Sequence, residues 1–415
     1  MIRGERIFAQ SDVMFCTRGV FLRACAGAQC HTMDSSQQVK KHARADCTIG
    51  PMPARIALLV PDMPSSEELL PWLRRIDAAR WYTNFGPLAR ELERSLEQRF
   101  GEGFEVLSVN NCTVGLELAL QAILKPGSRV LMPALTFVAT AASALRWGHI
   151  PVLADVDESS WLLTPQIARR VAAAQSIDVV MPVSTYGCPQ DAAAWDAFVA
   201  DTGIPVVLDA AGGFENQAAG RRFAAVFSLH ATKSLGAGEG GFVVSTDRQL
   251  LSSIRSLSNF GIDLQGMVPK AGTNGKLSEY HAAVALASLE RWPARKQLRI
   301  ALHRRYLETM GRVCPSVRLQ SRPQDGVYSL LPVLLPPGKT AEQIRSRLGA
   351  RGIETRRWYC PTLEKHPAFR EVPRAGPLQI AAELSDRLLA LPFHPFLADE
   401  DVQTVCGELA AVLES

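Results

Sequence analysis

The sequence predicts an α/β protein with two parts. A large domain is built on a buried, mostly parallel sheet with helices on both faces, giving three α/β/α layers. A smaller C-terminal α+β domain follows. Three observations predict this. From about residue 53, strand-like and helix-like segments alternate. Several of the strand segments are nearly continuous in apolar residues, as strands covered on both faces are. Beyond about residue 290 the alternation gives way to a long helix and a short strand–helix–strand series. The 415 residues also exceed one ordinary domain.

The elements are expected in the following order. Gly86-Pro87 precedes a helix from Leu88 to Phe100, with Leu88, Leu92, Leu96 and Phe100 at helical spacing. Proline near that start suits the first helical turn. Glu105 to Val109 reads as a strand feeding Asn110-Asn111-Cys112-Thr113 and a helix through Leu124. Further strands are expected at Arg129–Pro133, Ile150–Asp155, Val179–Val183, Pro205–Asp209, Ala225–Leu229 and Gly241–Ser245. Helices are expected at Ala139–Trp147, Pro165–Ala174 and Ala193–Asp201. A helix from Leu277 to Met310, interrupted at Pro293, leads to a strand at Tyr328–Leu335. A helix at Ala341–Ala350, a strand near Ile353–Arg357 and a helix at Asp399–Leu413 complete the chain. The expected divisions are 1–52, 53–290 for the large domain and 291–415 for the small one.

Composition excludes several classes. Hydrophobic residues make up 47% and charged residues 21%, which leaves no room for disorder throughout. A formal charge of +4, from 45 Lys+Arg against 41 Asp+Glu, does not mark a nucleic-acid binder. Much of that excess lies in residues 1–52, which hold seven basic against four acidic side chains. No apolar run of membrane-spanning length is present. The nine cysteines are widely spaced, without a C-x-x-C pair, and read as reduced thiols of a cytoplasmic protein without a structural metal. Residues 1–52 carry four of them, and Arg18 and Arg23 break the only apolar stretch that resembles an export signal. That segment reads as a disordered leader or a start assigned too early. Its alternative reading is a regulatory or metal-binding appendage using Cys16, Cys25, Cys30 and His31.

In parallel sheets, ligands sit at the carboxyl ends of strands, so the polar residues ending the strands are the chemical candidates. Lys233 lies just after a strand, with Ser228 five residues earlier and glycines at 236, 238, 240 and 241. A lysine held there can bond covalently to a carbonyl, and the glycines let the backbone approach a bulky ligand. By itself it reads as a solvated surface side chain, and the surrounding motifs reverse that reading. Asp209 ends an apolar strand; it caps the next turn or pairs with the ring nitrogen of pyridoxal phosphate. Cys112 and Thr113 open a helix whose free amides suit a phosphate, or a plain cap. Phe137, directly after a strand, could lie on an aromatic cofactor or in the core.

Taken together, the order is specific: phosphate helix, aromatic, strand-end aspartate, then Ser-x-His-x-x-Lys. With Gly86-Pro87, Thr136 to Thr140, Pro151 to Asp157, Tyr186-Gly187, Asp209-Ala210-Ala211, Ser228 to Gly241, Gly272-Thr273-Asn274, Ser278-Glu279 and Leu391 to Pro395, residues 64–415 resemble the DegT/StrS-type sugar aminotransferases. The resemblance implies a fold-type-I pyridoxal-phosphate transaminase. It implies that Lys233 carries pyridoxal 5'-phosphate and shuttles the proton, and that Asp209 pairs with the pyridine nitrogen. Cys112, Thr113 and Ser228 would hold the phosphate, Phe137 would stack on the ring, and Ala211 would line it. Asn274 would reach the phosphate in a second subunit, which implies a homodimer with shared sites. Thr83, Glu239 and Tyr359 would line the substrate pocket.

Three departures stand out. Cys112 replaces the usual glycine of the phosphate helix, Gly212 stands where the family often has His or Gln, and Lys276 replaces an arginine after Asn274. Lys233 itself separates the chain from the dehydratase branch, which has His there. The implied activity is transfer of an amino group, with glutamate as donor, to a nucleotide-linked keto-deoxysugar. Alternatives are a cyclitol or other keto compound as acceptor, or a non-catalytic cofactor-binding regulator.

Overall fold

The computed structural model describes residues 56–415. The expectations for residues 1–52, including Cys16, Cys25, Cys30 and His31, lie outside the described residues. Helix α1 (Ser66–Ala79), not expected from sequence, starts at a reciprocal cap. The Ser65 hydroxyl accepts from the Glu68 amide, and the Glu68 carboxylate accepts from the Ser65 amide at 2.7 Å. Helix α2 (Pro87–Glu97) ends three residues earlier than expected, because residues 98–100 close in a turn. Its first turn receives a carboxylate from far along the chain: Glu279 accepts from the Leu88 and Ala89 amides at 2.8 and 2.9 Å. A negative group there satisfies orphan donors and the helix dipole together.

Strands and helices then alternate as expected: β1 (Glu105–Val109), α3 (Cys112–Ile123), β2 (Arg129–Pro133), α4 (Val138–Leu145), β3 (Ile150–Ala154), α5 (Pro165–Ala174), β4 (Val179–Val180), α6 (Ala192–Thr202), β5 (Val207–Asp209), β6 (Ala224–Ser228) and β7 (Gly241–Ser245). Helix α7 (Arg248–Ser258) follows. Parallel bridges Val180–Val206 and Val183–Asp209 join the β3-β2-β4 ribbon to β5-β6-β7-β1. The order is therefore β3-β2-β4-β5-β6-β7-β1, and β7 alone runs antiparallel to its neighbours.

Side-chain alternation makes the layers. Val106, Leu131, Ala225 and Phe227 enter one buried cluster with α1, α2, α6 and Trp292. Leu107, Val130, Met132, Ala224 and Val226 enter another with α3 and α4. Successive residues of a strand thus face opposite helical layers.

Helix α8 (Glu279–Val313) runs unbroken through Pro293, which corrects the expected interruption. A mid-helix proline costs about 3 kcal/mol in isolation. Here the turns on both sides are packed, through Ala287 and Trp292 before it and Leu302 and Tyr306 after it, and tertiary burial prevails. Beyond it come β8 (Arg318–Leu319), β9 (Leu331–Leu334), α9 (Ala341–Ala350), α10 (Gln379–Arg387), β10 (Leu388–Leu391) and α11 (Asp399–Glu414). The antiparallel sheet β10-β9-β8 packs with α9, α11 and the second half of α8 around Tyr306, Val333, Leu389 and Leu409. The strand expected at Ile353–Arg357 is not formed. Ile353 makes one isolated bridge to Ile56 and Arg356 one to Ala390, so the segment touches two partners without laddering along either. Among the described residues, no helix is long and apolar enough to cross a membrane.

Candidate active site

Sheet register assembles the centre. Val109 at the end of β1 pairs with Gly241, and Gly241 pairs with Ser228 at the end of β6. The amino end of α3, the start of β7 and the Ser228 hydroxyl thus stand in one row across the sheet. Asn111 caps α3, its side chain accepting from the Val114 amide at 2.9 Å. That leaves the Cys112 and Thr113 amides pointing out of the first turn without an intrahelical acceptor. Gly241 is required by this closeness. A Cβ there would stand 2.7 Å from the Cys112 nitrogen and 2.8 Å from the Phe227 oxygen. Cys112 itself is buried, its thiol directed to the Val226 carbonyl at 3.7 Å. Burial pushes that thiol's pKa well up, so it is a neutral packing group. The substitution of the usual glycine therefore leaves the amide donors in place.

Asp209, at the end of β5, is 4% exposed. Its Oδ2 accepts from the Thr140 hydroxyl at 2.9 Å and its Oδ1 from the Ala211 amide at 3.1 Å. Thr140 is held in turn by Thr136 across 2.9 Å. Burial raises the Asp209 pKa; the Thr140 and Ala211 hydrogen bonds and the Lys233 charge pull it back without cancelling the rise. A buried carboxylate in this state favours any cationic partner brought against it.

Lys233 sits on the loop between β6 and β7, which closes on itself. The Ala231 amide donates to the Gly238 carbonyl at 2.8 Å, and the Lys233 amide to the His230 carbonyl at 2.9 Å. Ser288 of α8 donates to the Gly236 carbonyl at 2.7 Å and ties the loop to the core. The Lys233 charge acts on Asp209, Cys112 and Tyr359, so these four side chains share one centre. Glu239, expected to line the substrate pocket, stands 3.7 Å from His230 beside this loop.

Phe137 precedes α4 and is 53% exposed, which is unusual for a phenylalanine beside a packed core. Its ring lies 5.7 Å from Tyr359, tilted 54°. Tyr359 stacks on Tyr186 at 5.1 Å and 10°, and its amide donates to the Tyr186 hydroxyl at 2.9 Å. That hydroxyl donates to the Trp358 carbonyl. Thr83 and Asn274 are exposed and make no described hydrogen bond with the Lys233 group; Asn274 accepts from the Asn110 side chain through its carbonyl at 3.3 Å. Gly212 has a local reason. A Cβ there would come 3.1 Å from the Gly187 nitrogen, and one on Gly187 2.6 Å from the Gly212 oxygen, so two backbones pack where a side chain is common.

Pyridoxal phosphate asks for phosphate donors, an anion for its ring nitrogen, a flat apolar neighbour and a lysine. The free α3 amides with Ser228, the buried Asp209, the exposed Phe137 and Lys233 meet these demands on one edge of the sheet. Sequence reasoning assigned no role to Thr140 or Tyr186. The i, i+4 spacing of Thr136 and Thr140 around a helix start was the available signal for the first. The partners of Tyr186 lie more than 170 residues away in sequence, and no local pattern announces them.

Comparison with known proteins adds a consistent set of likenesses. The model of the DegT/DnrJ/EryC1/StrS aminotransferase family matches residues 65–410. Protein Rv3402c of Mycobacterium tuberculosis H37Rv is 32% identical over 379 residues, spanning 87% of this chain and 90% of that protein. The dTDP-4-amino-4,6-dideoxy-D-glucose transaminase of Shigella dysenteriae is 28% identical over 363 residues, spanning 85% of this chain and 97% of its own. The crystal structure of DesI in the presence of its TDP-sugar product has a TM-score of 0.79 at 31% identity, covering 87% of this chain and 94% of DesI.

Proposed function

From the premise that the chain belongs to the DegT/DnrJ/EryC1/StrS aminotransferase family, and is a pyridoxal-phosphate-dependent transaminase of fold type I, we propose that it aminates a nucleotide-linked keto-deoxysugar with glutamate as the amino donor. The observation that carries the reading is the shared centre of Lys233 and the buried Asp209, flanked by the free α3 amides. The sugar-nucleotide acceptor is supported by the relatives: one is named as a dideoxyglucose transaminase, and another was crystallised with a TDP-sugar product.

Pyridoxal phosphate supplies an electron sink and a carbon that takes an amino group from one substrate and hands it to the next. Within that chemistry each side chain has a defined task. The Cys112 and Thr113 amides and the Ser228 hydroxyl would bind the phosphate and so fix the ring's position. The Asp209 carboxylate would hold a proton on the ring nitrogen, and Thr140 and Ala211 keep that carboxylate oriented. Phe137 covers a ring face and excludes water. Lys233 Nζ anchors the group between turnovers. Its free amine would take the α-proton of glutamate and give a proton back as the keto acid forms. The same groups would serve the sugar ketone in the opposite direction.

We further propose a homodimer with shared sites. Asn274 is exposed and follows a segment bearing the exposed apolar side chains Phe260, Leu264, Met267 and Val268. Such a patch is the kind that a second copy covers.

The test is a panel of nucleotide-linked keto sugars offered with L-glutamate and read by mass. One member is expected to lose its carbonyl oxygen and gain an imine-derived amino group, with equimolar 2-oxoglutarate. Amination of a free cyclitol ketone, with every nucleotide sugar left untouched, would overturn the acceptor class.

A further inference from the structure

Thr140 lies in α4 and is fully buried, and Thr136, just ahead of that helix, is 2% exposed. A helical threonine commonly turns its hydroxyl back to a carbonyl one turn earlier. Thr140 instead points its hydroxyl at Asp209 Oδ2, 2.9 Å away and 69 residues along the chain. Its backbone is held for this. The amide donates to the Phe137 carbonyl at 3.2 Å, and the carbonyl accepts from the Ser143 hydroxyl at 2.9 Å.

Proton counting fixes the direction of the pair. A hydroxyl has one proton to give. Thr140 gives its proton to Asp209, so in the 2.9 Å contact between the two threonines Thr136 donates and Thr140 accepts. The three side chains form a one-way chain of buried hydrogen bonds, from Thr136 through Thr140 to the carboxylate. Each bond in such a chain polarises the next, and a donor on the carboxylate favours its ionised form. The other donor, the Ala211 amide, is backbone and fixed in direction. The hydroxyls can turn round: a proton on Oδ2 would make that oxygen the donor and reverse both threonines.

The remaining titratable groups facing Asp209 are Lys233, Cys112 and Tyr359. Burial pushes the Cys112 thiol and the Tyr359 phenol up, so both are neutral at neutral pH and Lys233 is the charged one. Valine would fill either threonine site with nearly the same shape and no buried hydroxyl to satisfy. Two hydroxyls in series are therefore explained by the carboxylate at their end.

We propose that Thr136 and Thr140 are positioning residues that act as a unit to hold Asp209 ionised, and so select a cofactor ring that carries a proton on its nitrogen. The inference rests on the pairing of Asp209 with the ring nitrogen proposed above. It extends that pairing to Thr136, whose hydroxyl reaches the carboxylate only through Thr140.

The test compares binding of pyridoxal 5'-phosphate to the cofactor-free full chain with binding of its deaza analogue, in which a C–H replaces the ring nitrogen. The readout is the ratio of the two dissociation constants from equilibrium dialysis. Damage to the fold or to the phosphate donors weakens both ligands alike, so a merely structural role leaves the ratio unmoved. The wild type is expected to prefer pyridoxal phosphate. Thr140→Val is expected to reduce that preference by about tenfold, the worth of one hydrogen bond to a charged group, and Thr140→Ser to restore it. Thr136→Val leaves the Thr140–Asp209 bond in place and is expected to reduce the preference by about threefold through lost polarisation. Asp209→Asn tells the two layers apart. No preference in the wild type, or one that survives Asp209→Asn, would overturn the pairing itself and this proposal with it. A preference lost in Asp209→Asn but unchanged in Thr140→Val or in Thr136→Val would overturn the threonine chain alone.

Discussion

Lys233→Ala is expected to lower turnover by about a thousandfold or more and to abolish the visible absorbance of covalently held cofactor. The loop's own bonds limit the damage to chemistry. The loop is closed by backbone bonds from Ala231, Lys233 and Ala237 and tied down by Ser288, none of which needs the lysine side chain. In the proposed site, phosphate and ring binding rest on α3, Ser228 and Asp209, so the variant is expected to bind the cofactor without bonding to it. Equilibrium dialysis with absorbance spectroscopy checks both halves. A variant that retains the wild-type spectrum would remove Lys233 from the account.

Asp209→Asn has the second-largest expected effect, and its consequences point in two directions. Turnover is expected to fall by about a hundredfold or more, since a neutral amide no longer holds the ring proton. Stability of the cofactor-free protein is expected to stay level or rise. The Asp209 carboxyl is raised above its ordinary 3.8, mainly by burial. An unfolded chain therefore releases that proton first as pH climbs through the ordinary value, and the fold loses stability from there to the raised value. That loss is not recovered at higher pH. Asparagine keeps an acceptor for Thr140 and removes the charge. Thermal melts of both proteins without cofactor, at neutral pH and near pH 4, check this. A neutral-pH melting point well below wild type for the variant would show that the charge is stabilising as it stands.

Much of the centre was legible because parallel sheets concentrate polar residues at strand ends. Asp209 and Ser228 each close an apolar run, and Asn111 opens a helix directly after another. Lys233 was legible through its glycine-rich surroundings, which the closed loop and Gly241's contact with α3 explain. Other parts depended on contacts that one segment cannot display. Helix α1 carries Pro71 inside it, and its cap, Ser65 with Glu68, was the overlooked signal. The Ile353–Arg357 segment has strand-like residues, yet strand identity needs a ladder, and its two ends find different partners. Pro293 reads as a break until the packing on both its sides is known. Tyr186 owes its place to partners far along the chain.

The central claim is that Lys233 is the residue to which the cofactor is bonded, close enough to Asp209 for its charge to act on that carboxylate. The most direct measurement is borohydride reduction of the cofactor-loaded protein, which makes the lysine–cofactor bond permanent, followed by digestion and peptide mass mapping. The account predicts one phosphopyridoxyl adduct, on the peptide containing Lys233. An adduct on another lysine, or a protein left unmodified while fully loaded, would contradict it.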